Sequence, residues 1–347
     1  MNMVKLTING KEVIAKKNAT ILQVANEAGI KIPTLCYHER LNPIASCRLC
    51  VVEIEGYSEP VTACTTPAAE GMAVKTNTER LFQMRRNALE FLLINHPLDC
   101  PVCDKAGECL LQDLVFEHGI TEVKYQLPKR QYDKHYATPL INYFPERCVL
   151  CLRCAAACRE IKGAGALDIA TNESGAHQLS VNPERCVSCG ECIQVCPTGA
   201  ITENVSPIKS RSFLVKKIPT TCTYCGCGCQ LNLHVLDNNV VCVSGRNSND
   251  VNRGSLCVKG RFGYEFIASD QRLKKPLIKK NGIFKEANWD EALDMVAKKF
   301  SQIKKESGVD SIGGLASARC TNEDNYLFQK FMRAVIGTNN VDHCARL

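Results

Sequence analysis

The sequence predicts an α+β chain of several small domains gathered around cysteine groups, and three observations predict it. The 347 residues are 45% hydrophobic and 23% charged, a globular composition long enough for two or three ordinary domains. Twenty-three residues are cysteine, and nineteen of them fall into five closely spaced groups. Between and after those groups, segments of strand periodicity alternate with segments of helix periodicity.

No apolar run reaches the roughly 18 to 20 residues that span a bilayer. The N-terminal "MNMVKLTING" lacks the basic region and apolar stretch of a signal peptide. A cytoplasmic protein without a membrane span is expected, and there cysteines are metal ligands or catalysts more often than disulfides. The formal charge of +7 would favour nucleic acid. Thiolate-bound clusters in all five groups would bring it to about −2, so no nucleic-acid partner is expected.

The opening "VKLTINGKEVIAKK" alternates Val4, Leu6 and Ile8, then turns at Asn9-Gly10, a strong hairpin signal. "TILQVANEAG" reads as a short helix from an N-cap at Thr20 to a stop at Gly29. Hairpin then helix predicts a β-grasp-like domain, whose following loop carries Cys36, Cys47, Cys50 and Cys64. A helix from Asn77, with Leu81, Met84, Ala88 and Phe91 on one stripe, ends before Pro97. It leaves His96 ahead of Cys100, Cys103 and Cys109. An irregular basic stretch, "TEVKYQLPKRQYDKHYATPLINYFPER", leads to an internal repeat, "CVLCLRCAAAC" from Cys148 and "CVSCGECIQVC" from Cys186.

A linker, "ENVSPIKSRS", precedes the group Cys222, Cys225, Cys229 and Cys257. Beyond Gly260 the pattern becomes that of a βαβ unit. A capped amphipathic helix runs from Asn288 to Gly308, "SIGGLAS" suits a strand, and a helix closes at Gly337. Val341 should start the next strand.

Iron–sulfur clusters need several thiolates converging on a compact core, and closely spaced cysteines supply three from one turn of chain. Each repeat is C-x2-C-x2-C-x3-C, the bacterial two-cluster ferredoxin run in which the fourth cysteine serves the other cluster. That arrangement gives Cys148, Cys151, Cys154 with Cys196, and Cys186, Cys189, Cys192 with Cys158. The second run keeps the expected proline, Pro197, where the first has Arg159. Zinc also takes four cysteines, so a non-enzymatic metal-binding scaffold is the bland alternative, but zinc does not require two interleaved runs.

The spacing of the Cys36 group alone leaves its cluster type open. With the β-grasp context it resembles the [2Fe-2S] domain of the large iron–sulfur subunit of NADH:quinone oxidoreductase and of related hydrogenases and formate dehydrogenases. His96 with Cys100, Cys103 and Cys109 resembles the histidine-ligated [4Fe-4S] site of the same proteins. Read alone, His96 would be a helix-capping histidine. The Cys222 group resembles the [4Fe-4S] domain of molybdopterin oxidoreductases. That resemblance makes Lys259 an electron relay between cluster and pterin and favours Cys229 over Cys227 as third ligand, a choice that spacing leaves open. Cys242 and Cys320 read as buried small apolar residues.

The resemblance implies a multidomain iron–sulfur protein with five parts. Residues 1–77 form the β-grasp [2Fe-2S] domain, 78–138 the histidine-ligated [4Fe-4S] domain and 139–210 the two-cluster ferredoxin domain. Residues 215–271 form the molybdopterin-oxidoreductase [4Fe-4S] domain, and 272–347 begin a truncated pterin-binding catalytic domain. Two full ferredoxin runs are shared by formate dehydrogenases and [FeFe]-hydrogenases, and the Cys222 group favours the former. The segment from "SARCTN" to "DHCARL" resembles the approach to the formate dehydrogenase active site, where selenocysteine or cysteine follows. A selenocysteine codon read as stop after Leu347 is therefore expected, with no catalytic residue inside the chain.

Formate and CO2 would be the substrates, at a bis-molybdopterin guanine dinucleotide carrying Mo or W. The partners would be a flavin- and NAD(P)-binding iron–sulfur subunit, a ferredoxin or a hydrogenase subunit. The competing expectation is an electron-carrier subunit of NADH:quinone oxidoreductase or a hydrogenase.

Overall fold

The computed structural model describes residues 3–125, 127–132, 136–205, 210–247 and 250–344. Part of the expected linker at 203–212 and the terminal residues 345–347, including Leu347, lie outside them. The chain divides into two compact units, Met1–Val215 and Lys216–Leu347.

In the first unit, β1 (Met3–Ile8) and β2 (Lys11–Lys16) form the expected hairpin. Asn9 and Gly10 turn it at φ 51° and 81°, the left-handed pair of a type I′ turn. α1 (Ile21–Glu27) starts in a capping box, where the Thr20 hydroxyl accepts from the Gln23 amide and the Gln23 side chain accepts from the Thr20 amide. β3 (Val51–Ile54), β4 (Val61–Thr62) and β5 (Ala73–Lys75) complete a sheet of order β2-β1-β5-β3-β4, with β1 and β5 parallel. Leu6, Ile8, Val52 and Val74 bury against Ile21, Leu22 and Val24 of α1. Each large aliphatic side chain contributes about 1.5–3 kcal/mol by leaving water, and this core fixes where the cysteine-bearing loop begins and ends.

α2 (Glu79–Leu93) is capped by Thr78, whose hydroxyl accepts from the Leu81 amide at 3.3 Å. Its buried stripe differs from the expected one. Met84 and Phe91 stay 36% and 57% exposed, while Leu81, Arg85, Leu89 and Leu93 are buried. Arg85 accounts for the rotation, because its guanidinium reaches in and donates to the carbonyls of Leu49 at 3.0 Å and Val51 at 2.7 Å. α3 (Leu110–Glu117) follows the second cysteine group, directly after Cys109.

The stretch expected to be irregular contains β6 (Tyr136–Thr138) and β7 (Ile141–Tyr143). β7 pairs with a strand from beyond both cysteine runs, a non-local partnership that local patterning does not reveal. α4 (Arg153–Glu160), the hairpin of β8 (Leu167–Thr171) and β9 (His177–Val181), α5 (Glu191–Val195) and β10 (Ile201–Glu203) complete the repeat, with sheet order β10-β7-β6.

The second unit opens with β11 (Lys216–Thr221), β12 (Gln230–Leu236) and β13 (Asn239–Gly245) as an antiparallel sheet. The short α6 (Val258–Phe262) and the hairpin of β14 (Leu277–Lys280) and β15 (Ile283–Glu286) follow. α7 (Trp289–Ser307) is capped by Asn288, whose side chain accepts from the Glu291 amide at 2.8 Å. Asp290 and Glu291 in its first turn and Lys304 and Lys305 in its last complement the helix dipole. β16 (Gly314–Ser317) and β17 (Val341–Cys344) run parallel, joined through α8 (Asn322–Lys330) and a π-helical turn, Phe331–Ile336, that stops at Gly337. Cys242 and Cys320 are half-buried rather than buried, because β13 and the turn after β16 each keep one side open to solvent.

Candidate metal centres

Among the described residues, no group of three or more His, Cys, Asp or Glu side chains is close enough to grip a single metal ion. The cysteines instead line cavities or face one another at longer range. In the first unit Cys36, Cys50 and Cys64 are buried and Cys47 half-buried. A hydrogen bond from Cys47 draws the Cys36 thiol down to about 5, and the same bond pushes Cys47 up. Cys50 and Cys64 form a second such pair, and Cys36 bears electrostatically on both. All four sulfurs therefore share one region. The loop reaches this arrangement through left-handed Ala45 and Arg48, at φ 57° and 56°, and Arg85 anchors its end at the Leu49 and Val51 carbonyls.

Cys100 opens a short 3-10 turn, and Cys103 and Cys109 are buried close enough to interact. The Arg211 guanidinium donates to the carbonyls of Cys100 at 3.3 Å and Cys103 at 2.7 Å, and also to that of Pro101. His96 lies two residues beyond the α2 C-cap, 9% exposed. Burial, with Arg147 and Lys129 nearby, lowers its pKa to about 4 despite the opposing charge of Asp99. It is thus neutral, the form that ligates metals, and its buried Nδ1 has no hydrogen-bond partner among the described residues. Arg147 connects His96 to the cysteines, since it pairs with Asp99 and bears on Cys103.

The two repeats build matching loops. Leu150 and Leu152 in the first run, and Ser188 and Gly190 in the second, adopt positive φ at 49°, 64°, 51° and 70°. Such alternation turns successive backbone N–H groups inward, a concavity suited to an anion; the amides of Leu150 and Arg153 hydrogen-bond the sulfurs of Cys148 and Cys151. Cys148, Cys151, Cys154 and Cys196 line one cavity, together with Tyr143, Ile169 and Leu179. Cys158, Cys186, Cys189 and Cys192 line another, with Ile141, Ala166 and Val181. Burial raises the pKa of Cys151 to about 12 and pushes that of Cys154 well above the ordinary thiol range. Four thiols around an apolar cavity fit a multi-iron core, which supplies the positive charge that makes buried thiolates favourable.

In the second unit Cys222 feels the charges of Cys257, Cys225 and Cys227, and Cys229 those of Cys227, Cys222 and Cys225. Cys222 N donates to Cys229 O at 2.8 Å, which closes the loop. Cys227 and Cys229 lie 3.6 Å apart, sulfur to sulfur, so both candidates for the third position adjoin the site. Lys259 is exposed on the short α6 directly after Cys257. A Cβ at the neighbouring Gly260 would stand 3.5 Å from the Cys222 sulfur.

Sequence reasoning passed over Arg85, Tyr143, Arg147, Arg153, Gly199 and Arg211 at these sites. Tyr143 hydrogen-bonds the Cys148 sulfur, and its oxygen accepts from the Leu179 amide at 2.9 Å. A Cβ on Gly199 would overlap the Cys103 sulfur. Arg153 was legible only as the odd charge inside a cysteine run.

Comparison with known proteins agrees with this anatomy. Residues 1–79 match a 2Fe-2S iron-sulfur cluster binding domain, and 85–124 the NADH-ubiquinone oxidoreductase-G iron-sulfur binding region. Residues 147–200 match a 4Fe-4S dicluster domain, 215–269 the molybdopterin oxidoreductase Fe4S4 domain and 272–347 the molybdopterin oxidoreductase domain. The chain is a multidomain iron–sulfur protein that joins [2Fe-2S], [4Fe-4S] and molybdopterin-oxidoreductase domains, and it belongs among the oxidoreductases.

Within that class it is 40% identical, over 99% of its length and 40% of the relative, to the NADPH-Fe(3+) oxidoreductase subunit alpha of Geobacter sulfurreducens. It is 41% identical to an NADH-quinone oxidoreductase subunit of Rhizobium meliloti, again over 99% of this chain and 40% of the relative. A putative formate dehydrogenase of Staphylococcus haemolyticus is 33% identical over 98% and 39%. The chain thus spans about two fifths of the curated relatives it matches. A crystal structure of an NAD+-reducing [NiFe]-hydrogenase aligns with a TM-score of 0.55 and 30% identity, over 60% of this chain and 90% of that one.

Proposed function

We propose that this chain is the electron-transfer part of a formate dehydrogenase, passing electrons between a Mo- or W-pterin centre and an NAD(P)-, ferredoxin- or hydrogenase-linked partner. Thiolate-held iron–sulfur clusters supply one-electron chemistry, with potentials tuned by net charge, hydrogen bonds to sulfur and exposure. Cys36, Cys47, Cys50 and Cys64 would hold a [2Fe-2S] cluster. His96 with Cys100, Cys103 and Cys109, the two ferredoxin sets, and Cys222, Cys225, Cys229 and Cys257 would each hold a [4Fe-4S] cluster. Lys259 would stand on the pterin side of the last.

The observation that carries this reading is the pair of ferredoxin cavities, each lined by three cysteines of one run and the fourth of the other. The formate assignment rests on the resemblance of the segment from "SARCTN" to "DHCARL", with the 33% identical putative formate dehydrogenase in support; the expected metal ligand, selenocysteine or cysteine, would follow Leu347. A second reading, an electron-carrier subunit of an NADH:quinone oxidoreductase or a hydrogenase, is favoured by the hydrogenase chain that this one covers over 90% of its length.

Formate separates the readings. Added anaerobically to the whole protein with its pterin, it should bleach the broad visible absorption within turnover time. The 347-residue chain alone should be bleached by dithionite and ignore formate. Oxidation of formate by the 347 residues alone, or a whole protein reduced through an NAD(P)H-linked partner but never by formate, would refute the formate assignment.

His96 gives a narrower expectation. His96→Ala should lose one [4Fe-4S] signal, about four irons per chain, with the others retained. His96→Cys should keep that cluster at a lower potential, because a thiolate adds negative charge where the imidazole adds none. Equal iron content and unchanged signals in His96→Ala would show that His96 is not a ligand.

A further inference from the structure

The two cysteine runs are sequence repeats, yet the residue before the third cysteine differs in charge: Arg153 in the first, Glu191 in the second. Both are buried, at 8% and 1% exposure, where charged side chains seldom go unpaired. Both reach the loop that carries Cys36. Arg153 Nη1 donates to the Leu35 carbonyl at 3.4 Å, and Glu191 accepts from Arg40 at 3.3 Å while Lys162 lies 3.5 Å from its other oxygen. The Asn42 amide donates to Glu160 at 2.9 Å, and Leu41 packs on Ala156, Ala157 and Val195. The ferredoxin repeat thus clamps the loop from both of its helices.

Among the described residues, Glu191 has two cations, Arg40 and Lys162, and no carboxylate pairs with Arg153. Its Nε is buried with no hydrogen-bond partner among the described residues, and the groups whose charge bears on it most are Cys151 and Cys196 on one side and Cys36 and Cys47 on the other. A guanidinium cannot shed its proton in a protein. A buried, permanently charged cation of this kind is stable only where anions surround it. The four cysteines belong to two different sites, so the anions that neutralise Arg153 are the thiolates of both.

We infer that Arg153 is a bridging cation shared by the Cys36 and Cys148 cluster sites, positioning one against the other and raising the reduction potential of both. The inference rests on those sites holding clusters, as proposed above. Reduction adds one electron to a cluster and makes its site one unit more negative. A fixed positive charge beside it favours that state, and charge shared between two sites ties their potentials together. Arg85, on which Cys50 bears electrostatically, and Tyr143, which hydrogen-bonds Cys148, each touch one site.

The test is a potentiometric titration of the full chain followed by EPR, which separates the [2Fe-2S] signal from the [4Fe-4S] signals. Arg153→Gln should shift the redox equilibrium of the [2Fe-2S] centre and of one [4Fe-4S] centre toward the oxidised form by about tenfold each, ~59 mV for one electron. Arg153→Met, which keeps the packed stem, should do the same where the glutamine variant fails to assemble. Arg153→Lys should leave both near the parent values. Arg85→Gln should move only the [2Fe-2S] signal, and Tyr143→Phe only one [4Fe-4S] signal. The inference fails if removing the charge at Arg153 moves one signal or none, or if Arg153→Lys shifts both as far as Arg153→Gln. A parent chain lacking either cluster would refute the metal-centre reading itself.

Discussion

Gly199→Ala should abolish one [4Fe-4S] centre in a neighbouring segment of the chain, the one associated with His96, and leave the [2Fe-2S] centre intact. Gly199 follows the second ferredoxin run, but an added methyl would overlap the Cys103 sulfur. The surroundings cannot yield easily. The Lys105 Cβ stands 3.3 Å and the Arg147 Cδ 3.6 Å from the same point. Arg147 is held by Asp99, and its carbonyl accepts from the Thr198 hydroxyl at 2.9 Å. Leu110 N donates to Pro197 O at 3.0 Å, which pins the start of α3 to the same strand of chain. Cys103 must therefore leave its place. Overpacking of this kind costs about 1–3 kcal/mol, and the larger effect is on the site, whose iron content should fall by about four per chain. Iron analysis with EPR checks it, and full iron content in Gly199→Ala would mean that Cys103 holds no iron.

Cys196→Ala should remove the cluster of the first run, not of the second in which Cys196 stands. Cys196 lines the cavity of Cys148, Cys151 and Cys154, and its charge bears on both Cys151 and Cys154. Cys158 correspondingly lines the cavity of Cys186, Cys189 and Cys192. A pairing of each fourth cysteine with its own run would give the opposite result. The two outcomes are distinguishable through Tyr143, which contacts only the first cavity. In Cys196→Ala, a further Tyr143→Phe change should no longer shift any [4Fe-4S] potential. If Tyr143→Phe still shifts one, the interleaved assignment is wrong.

Much of this was legible from local chemistry. The Asn9-Gly10 turn, the Thr20 and Asn288 caps, and the strand at Val341 follow from rules acting over a few residues, and so do the cysteine groups, whose spacing is what cluster ligation would require. What could not be read was set by distant partners. Arg85 rotates α2 by bonding carbonyls from another element, and β7 exists because β10 lies beside it. Arg153 shows within its run only as an odd charge, and Gly199 looks unremarkable just after its own; only the packing of one cysteine segment on another gives the charge of the first and the missing side chain of the second their meaning. The choice between Cys227 and Cys229 stays with the family resemblance, since both sulfurs adjoin Cys222.

Quantifying iron, acid-labile sulfide and zinc in anaerobically prepared protein counts the clusters in the chain. One [2Fe-2S] and four [4Fe-4S] clusters predict about 18 irons and about 18 sulfides per chain, with zinc near zero. Zinc in stoichiometric amounts with little sulfide, or iron no higher than about 10 per chain, would contradict it and return the cysteine groups to a structural, non-conducting role.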